Sequence, residues 1–297
     1  MLAVDRETAP SKTPETLPGE AGDALKQMGC WERFGALRFP VIAERSSTWG
    51  GPERQAISAV LKPYGLGWLV DRERFDAMLR DHARERGAVL LAPAHVRSFT
   101  ASPPGWEVSV DDEVVRARWL IDASGRACWA ARRLGAPPVR YDGLVGAYDP
   151  ARFAGGEPAR VRIDAAENGW TYEIVSAGSS AKVFFTDADL LASTGARVLP
   201  AHSQRAAHAL GERWLAVGDA LAAHDPLSSS GVVSALRGAL GALDVILERD
   251  GARGRYAARA QTEYVDYLAR RKLFYRAETR WPASPFWRRR ADVPARG

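Results

Sequence analysis

Trp214-Leu215-Ala216-Val217 is a short apolar run that meets Gly218-Asp219-Ala220. After Asp225-Pro226-Leu227-Ser228-Ser229-Ser230-Gly231 it gives way to an apolar helical pattern ending near Glu248. A buried strand closed by a glycine and an acid constrains the chain to an α/β sheet, in which ligands meet the carboxyl ends of the strands. The same grammar recurs twice: Leu2-Ala3-Val4 ends in Asp5-Arg6, and a strand read over 114–122 runs into Asp122-Ala123-Ser124-Gly125-Arg126. In dinucleotide-binding βαβ units such a carboxylate accepts hydrogen bonds from the adenosine ribose, about 20 residues beyond the start of a Gly-rich phosphate loop. Only four residues precede Asp5, and GxGxxG occurs nowhere in the sequence. With Asp5 in that role, the first strand, its turn and its helix are expected to be missing, an N-terminally truncated unit.

Periodicity places the other elements. Asp71 caps a helix over 71–87 whose Phe75, Met78, Leu79 and Ala83 fall at helical spacing before Gly87. A strand over 88–92 follows, then a hairpin of 106–110 and 114–122 around Asp111 and Asp112. Strands over 160–164, 169–175 and 181–186 predict an antiparallel sheet with one wet face. The last long helix, 253–276, carries Tyr256, Ala260, Tyr264, Tyr267, Leu268, Arg271 and Tyr275 on one face, and Trp281-Pro282 is read as its stop.

Composition excludes whole classes. Hydrophobic residues are 46% and charged residues 26% of the 297, too apolar and too mixed for a disordered or fibrous chain. No apolar run reaches the roughly 20 residues of a membrane span and no signal peptide is visible, so a cytoplasmic location without membrane insertion is expected. Cys30 and Cys128 form no CxxC pair and are expected to be buried thiols. His202 and His208 lack nearby thiols and have few carboxylates near them, so no metal site is expected. The net charge is +5; residues 251–297 hold twelve Lys or Arg against four Asp or Glu, leaving −3 for the rest. Those charges interleave with a Tyr and Leu stripe, which reads as a packed, solvated helix rather than a nucleic-acid surface.

At this point several segments, in order, carry a resemblance. Gly218-Asp219-Ala220 with Asp225 to Gly231 resembles the carboxyl-side FAD motif of the flavin-dependent monooxygenase and halogenase superfamily. Pro14-Glu15-Thr16-Leu17 is similar to the segment after the ribose-binding strand. Asp71-Arg72 with Phe75-Asp76 resembles the helix start after the substrate-domain crossover, and Asp122 to Arg126 the mid-chain nucleotide motif. Gly169-Trp170-Thr171-Tyr172, Phe185-Thr186-Asp187-Ala188-Asp189, Arg280-Trp281-Pro282 and Pro285-Phe286-Trp287-Arg288-Arg289-Arg290 look most like tryptophan-modifying flavoproteins that help mature amino-acid oxidases and amine dehydrogenases.

The resemblance implies an α/β fold with a Rossmann-like FAD domain of the para-hydroxybenzoate-hydroxylase kind, an antiparallel substrate sheet and a C-terminal helix. Residues 1–138 and 201–250 would form a discontinuous FAD domain, with part of the substrate sheet from about 36–70. Residues 139–200 would complete that sheet, and 251–297 would be the helix and basic tail. Asp5 would hold the adenosine ribose and Val96, placed on the strand after the 71–87 helix, would meet adenine through its backbone. Asp219 would hold the ribityl or pyrophosphate region, and the backbone near Gly231 would face the flavin pyrimidine edge. Glu15, Arg72, Asp122, Gly125, Gly218, Pro226 and Ser230 complete the expected cofactor site, and no catalytic side chain is assigned.

The implied activity is hydroxylation of an aromatic, tryptophan-like group through a flavin hydroperoxide, with NAD(P)H or a separate flavin reductase as electron source. The substrate would be an aromatic small molecule or a peptide-borne tryptophan of a partner protein. Trp49, Trp68, Trp170 and Tyr172 are candidates for the pocket, and core packing explains each equally well. The alternatives are an incomplete or degenerate flavoprotein fragment that binds no FAD, a prenyl reductase, or a halogenase. The last is disfavoured because the sequence has no WxWxIP and Lys62 does not map to the lysine that captures hypohalous acid.

Overall fold

The computed structural model describes residues 1–6, 15–59, 64–148, 159–176, 179–192 and 195–291. Pro14, most of the Pro-rich stretch and Leu61-Lys62-Pro63 lie outside the described residues.

The largest layer is a seven-stranded sheet. Its spatial order is Arg197–Pro200, Leu144–Tyr148, Ser179–Asp187, Gly169–Ser176, Ala159–Ala166, Ile42–Ser47 and Gln55–Ser58. The hairpin of Ala159–Ala166 and Gly169–Ser176 turns at Glu167 and Asn168, as the polar break in the sequence predicts. Alternation does the rest: Ala159 and Val161 face inward while Arg160 points out, and Trp170 stacks on Phe185 with centroids 4.2 Å apart. One junction departs from the antiparallel expectation. Ile42–Ser47 pairs parallel with Ala159–Ala166, because it reaches the sheet from a remote part of the chain rather than through a hairpin.

The second layer holds two parallel pairs. Leu2–Val4 pairs with Val89–Leu91, and Leu120–Asp122 pairs with Trp214–Ala216, beside which lies Leu210–Gly211. The two pairs are separate sheets, and Leu2–Val4 and Leu120–Asp122 each have one strand neighbour among the described residues. Even so, Val4, Leu91, Leu120, Trp214 and Ala216 share one core cluster. The strand read as 114–122 is two strands. Glu113–Ala117 follows its hairpin partner Gly105–Val110 back to Trp106, near that partner's start, and Leu120–Asp122 then joins the other ladder.

Helices cover these sheets. Arg72–Glu85 starts as expected, with the Asp71 carboxylate accepting from the Arg74 amide at 3.2 Å, and buries Phe75 and Met78. Those two residues meet Leu17, Leu25 and Phe34 as well as Val233 and Leu236 of Gly231–Ile246. The C-terminal helix, Ala252–Ala277, buries the expected Tyr256, Tyr264, Tyr267, Arg271 and Tyr275. It stops before Trp281-Pro282, so the proline is not its terminator. Glu278 turns extended, and its buried carboxylate accepts from the Gly50 amide at 3.0 Å and from Arg280 Nε at 2.9 Å. Pro285–Ala291 then returns to the sheet, where buried Arg290 donates to buried Asp187 at 2.5 Å and Arg289 reaches both Asp187 and Asp189. No helix among the described residues is long and apolar enough to cross a membrane.

Gly67 shows how close the crossover strands run. Its φ is +97°, and a Cβ there would lie 2.0 Å from the Leu17 carbonyl oxygen. Gly87, at φ +81°, has open space around the same position. Gly67→Ala is therefore expected to lose at least about 2 kcal/mol in urea unfolding and Gly87→Ala only about 1 kcal/mol. Equal midpoints would contradict this packing.

Candidate functional site

The candidate site is built where the Trp214–Ala216 strand ends. Gly218 takes φ +56°, a left-handed turn a side chain would resist, and this sets Asp219 in a single 3-10 turn. Arg126, from the turn after Leu120–Asp122, approaches Asp219 Oδ2 to 3.3 Å and donates to the His224 carbonyl at 3.0 Å. The Asp219 side chain keeps 39% of its surface, yet protein crowds the carboxylate and burial raises its pKa; the charges of Arg126 and Arg72 oppose the rise. A strand-end acid thus meets one guanidinium, Arg126, and feels the charge of a second, Arg72, from a separate element.

Arg72 is fixed in turn by two carboxylates. It donates to Glu15 at 2.9 and 3.0 Å and to Asp76 at 3.1 and 3.2 Å, and although burial works against its charge, those two acids keep its pKa above the ordinary value. Thr16, next to Glu15, hydrogen-bonds Tyr172 Oη at 2.8 Å and so ties this crossover to the large sheet. Beyond Asp219 the chain passes through buried Asp225 to the turn Pro226–Ser228. Ser230 then caps Gly231–Ile246 without a side-chain bond, and a Cβ on Gly231 would meet nothing within 4 Å. The first amides of that helix carry its positive end.

Of the sequence-predicted residues, Gly218 and Asp219 form this turn and Pro226, Ser230 and Gly231 follow in the same run of chain, while Arg72, paired with Glu15, reaches Asp219 through its charge. Asp5 sits at the end of the other parallel pair, with its carboxylate 2.7 Å from Arg80 Nη2. Val96 is not on the strand after the 72–85 helix, which is Val89–Leu91; it opens the next one, Val96–Ser102, opposite Val110. Asp122 ends its strand as expected, but its carboxylate accepts from the Ser124 amide and hydroxyl and from the Ala131 amide at 2.6 to 3.0 Å. It organises the turn through Gly125, whose φ is +64°.

Both thiols are buried; burial foremost pushes Cys128 up to about 11, which leaves an inert thiol. Trp170 is fully buried and donates from Nε1 to Tyr275 Oη at 3.0 Å, while Trp68 meets Phe34 edge-on at 5.0 Å. These two are core packing. Sequence reasoning missed Arg126 as the residue bridging Asp219. It also missed the grip of the C-terminal helix on Asp225, although the Tyr and Arg stripe was visible.

No family model matches the sequence. Across 295 aligned residues, 28% are identical to LodB of Marinomonas mediterranea, a protein named as an FAD-dependent oxidoreductase; the match takes in 86% of this chain and 80% of that one. Among solved structures, the myxobacterial chondrochloren halogenase CndH superposes with TM-score 0.80 at 19% identity, over 97% of this chain and 79% of that one. The flavin-dependent halogenase CmlS gives TM-score 0.77 at 22% identity over 97% of this chain, which spans 62% of the length of CmlS. The fold is the one these two halogenases share. The peptidyl tryptophan dihydroxylase QhpG shares it with TM-score 0.74 at 23% identity, over 99% of this chain and 72% of that one.

His224 lies between Asp219 and Asp225, its ring edge-on to Tyr267 at 4.5 Å. Burial first, then the charges of Arg126 and Arg270, lower its pKa from 6.5 to about 4. Between those values the unfolded chain binds a proton that the folded one refuses, so this group's effect is to make stability fall as pH drops from 6.5 toward 4. His224→Gln is expected to flatten the dependence of melting temperature on pH in that window. Parallel curves for the two proteins would refute the buried, neutral imidazole.

Proposed function

We propose that this chain is a flavin-dependent oxidoreductase of the monooxygenase class that holds FAD at Asp219 and at the opening of the Gly231–Ile246 helix. The carrying observation is the crowded Asp219 carboxylate at a strand's carboxyl end, followed in the chain by a helix start with no side-chain cap. Such an acid accepts hydrogen bonds from sugar hydroxyls, and helix amides suit the partial negative charge along a flavin pyrimidine edge. These residues fit the ribityl and ring half of FAD. The phosphate half has no GxGxxG among the 297 residues to hold it.

When bound, a reduced flavin supplies activation of dioxygen. The chain's own contribution is placement. Gly231, where a Cβ would meet nothing, allows close approach to the helix amides, and the charges of Arg126 and Arg72 oppose the rise that burial causes in the Asp219 pKa.

For the substrate we propose an aromatic group of the indole kind borne on a partner polypeptide, since QhpG is a peptidyl tryptophan dihydroxylase. Charge steering by the tail does not support that choice. Arg271, Arg280 and Arg290 pair with buried carboxylates, and half-exposed Arg289 shares buried Asp187. Electrons would come from NAD(P)H or a flavin reductase.

FAD titration followed by flavin fluorescence tests the reading. Asp219→Asn is expected to weaken FAD binding about tenfold or more, as for loss of a charged hydrogen bond. Asp244→Asn, on the exposed side of the same helix layer, should leave it unchanged. Identical titrations for both variants, or no binding by the native chain, would sink the assignment. Oxygen incorporation into a tryptophan-containing peptide but not free tryptophan, read by mass spectrometry, would separate the two substrate classes.

A further inference from the structure

Tyr267, Arg271 and Tyr275 stand four residues apart on the buried face of the C-terminal helix, and each touches Asp225 and a second partner, the tyrosines through one hydroxyl and Arg271 through two nitrogens. Tyr267 Oη accepts from the Asp225 amide at 2.7 Å and hydrogen-bonds Ser203 Oγ at 2.7 Å. Arg271 Nε donates to Asp225 Oδ2 at 3.0 Å. Its Nη2 lies 3.0 Å from Asp142 Oδ2, a charge contact without a hydrogen bond's alignment. Tyr275 Oη donates to Asp225 Oδ2 at 2.7 Å and accepts from Trp170 Nε1 at 3.0 Å.

The sheet-side partners belong to three places. Asp142 precedes the Leu144–Tyr148 strand of the large sheet and caps its first amide at 3.0 Å, and Trp170 lies in Gly169–Ser176 of that sheet, whereas Ser203 lies just before Gln204–Ala206, a strand of a separate three-stranded sheet. Every bridge ends on the one residue that opens the Pro226–Ser228 turn and leads to Gly231.

We propose that this face of the C-terminal helix is a spacer that fixes the flavin-facing turn against the sheets, with Arg271 and Tyr275 setting its separation from the substrate sheet and Tyr267 tying it to the small sheet of Gln204–Ala206, all three as positioning residues. The proposal rests on the reading above for what the turn faces; the spacing itself does not. A helix whose rungs are one turn apart has little freedom to slide, and Asp225 is held by donors from two rungs plus its own Leu227 amide at 3.0 Å. A helix docked only by apolar packing would leave the turn free to shift.

Tyr256 is the control, because it sits on the same helix and donates a buried hydrogen bond, to the Ala216 carbonyl at 2.6 Å, away from the turn. Amide hydrogen exchange on the full chain, with melting temperatures alongside, compares Tyr267→Phe, Tyr275→Phe and Tyr256→Phe. The first two should speed exchange of the Leu227, Ser228 and Ser229 amides about tenfold at nearly native melting temperature. Tyr256→Phe should leave those amides alone and act on Trp214–Ala216. Turn amides that exchange at the native rate in Tyr267→Phe and Tyr275→Phe, or equally fast in all three variants, would overturn the spacer. FAD added to each variant reports on the other reading separately. If native chain binds FAD, its absorption band should shift in the first two variants only; if it binds none, the functional reading fails and the exchange data still decide the spacer.

Discussion

The Asp225 carboxylate is almost completely buried, and a charge taken from water costs several kcal/mol unless its lone pairs are met. They are met by Arg271 Nε, Tyr275 Oη and the Leu227 amide, while Tyr267 takes the hydrogen of the backbone amide. Because the donors come from the C-terminal helix and the acceptor from the loop before Gly231–Ile246, the charge cannot be satisfied unless those distant segments dock. The ion pair need not add net stability to do this. Its desolvation penalises every arrangement in which the helix sits elsewhere.

Asp187 and Arg290 repeat the logic nearby, at the end of the sheet where Asp187 pairs with Leu144. Arg290 is buried, its Nη atoms donate to both Asp187 oxygens and to the Phe286 carbonyl, and its guanidinium lies 3.7 Å from the Phe286 ring centroid. Arg289, half exposed, shares Asp187 with it. The cluster of positive charge that stands out at the chain's end therefore has mates 100 residues earlier. Charge counted along a sequence is not charge presented on a surface.

Much of the fold was legible because periodicity and strand-end acids are local signals. The Asp71 cap, the buried faces of the 72–85 and 252–277 helices and the three-stranded core of the large sheet follow from residues close together in sequence. What was not legible is long-range. The split of 114–122 depends on where Gly105–Val110 begins, the parallel entry of Ile42–Ser47 on a crossover, and the stop at Ala277 on a glutamate that binds the remote Gly50 amide. For the site, Asp219 and Arg72 were legible as motif residues, but Arg126 lies 93 positions from its partner and has no spacing signal.

Asp122 and Asp219 show why the strand-end acid alone does not decide. The two close neighbouring parallel strands, and both read the same way in sequence. After Asp122, however, the chain returns Ser124 and then the Ala131 amide to the carboxylate, so its oxygens are used within ten residues. After Asp219 the chain moves on through Leu221 to the 224–225 loop, and the described hydrogen bond to this side chain comes from Arg126 at a long 3.3 Å. A carboxylate engaged by its own turn organises the backbone, whereas one met by a single stretched guanidinium contact retains acceptor capacity for a ligand's hydroxyl. The difference lies in the donors that follow each acid, not in the acid or the strand before it.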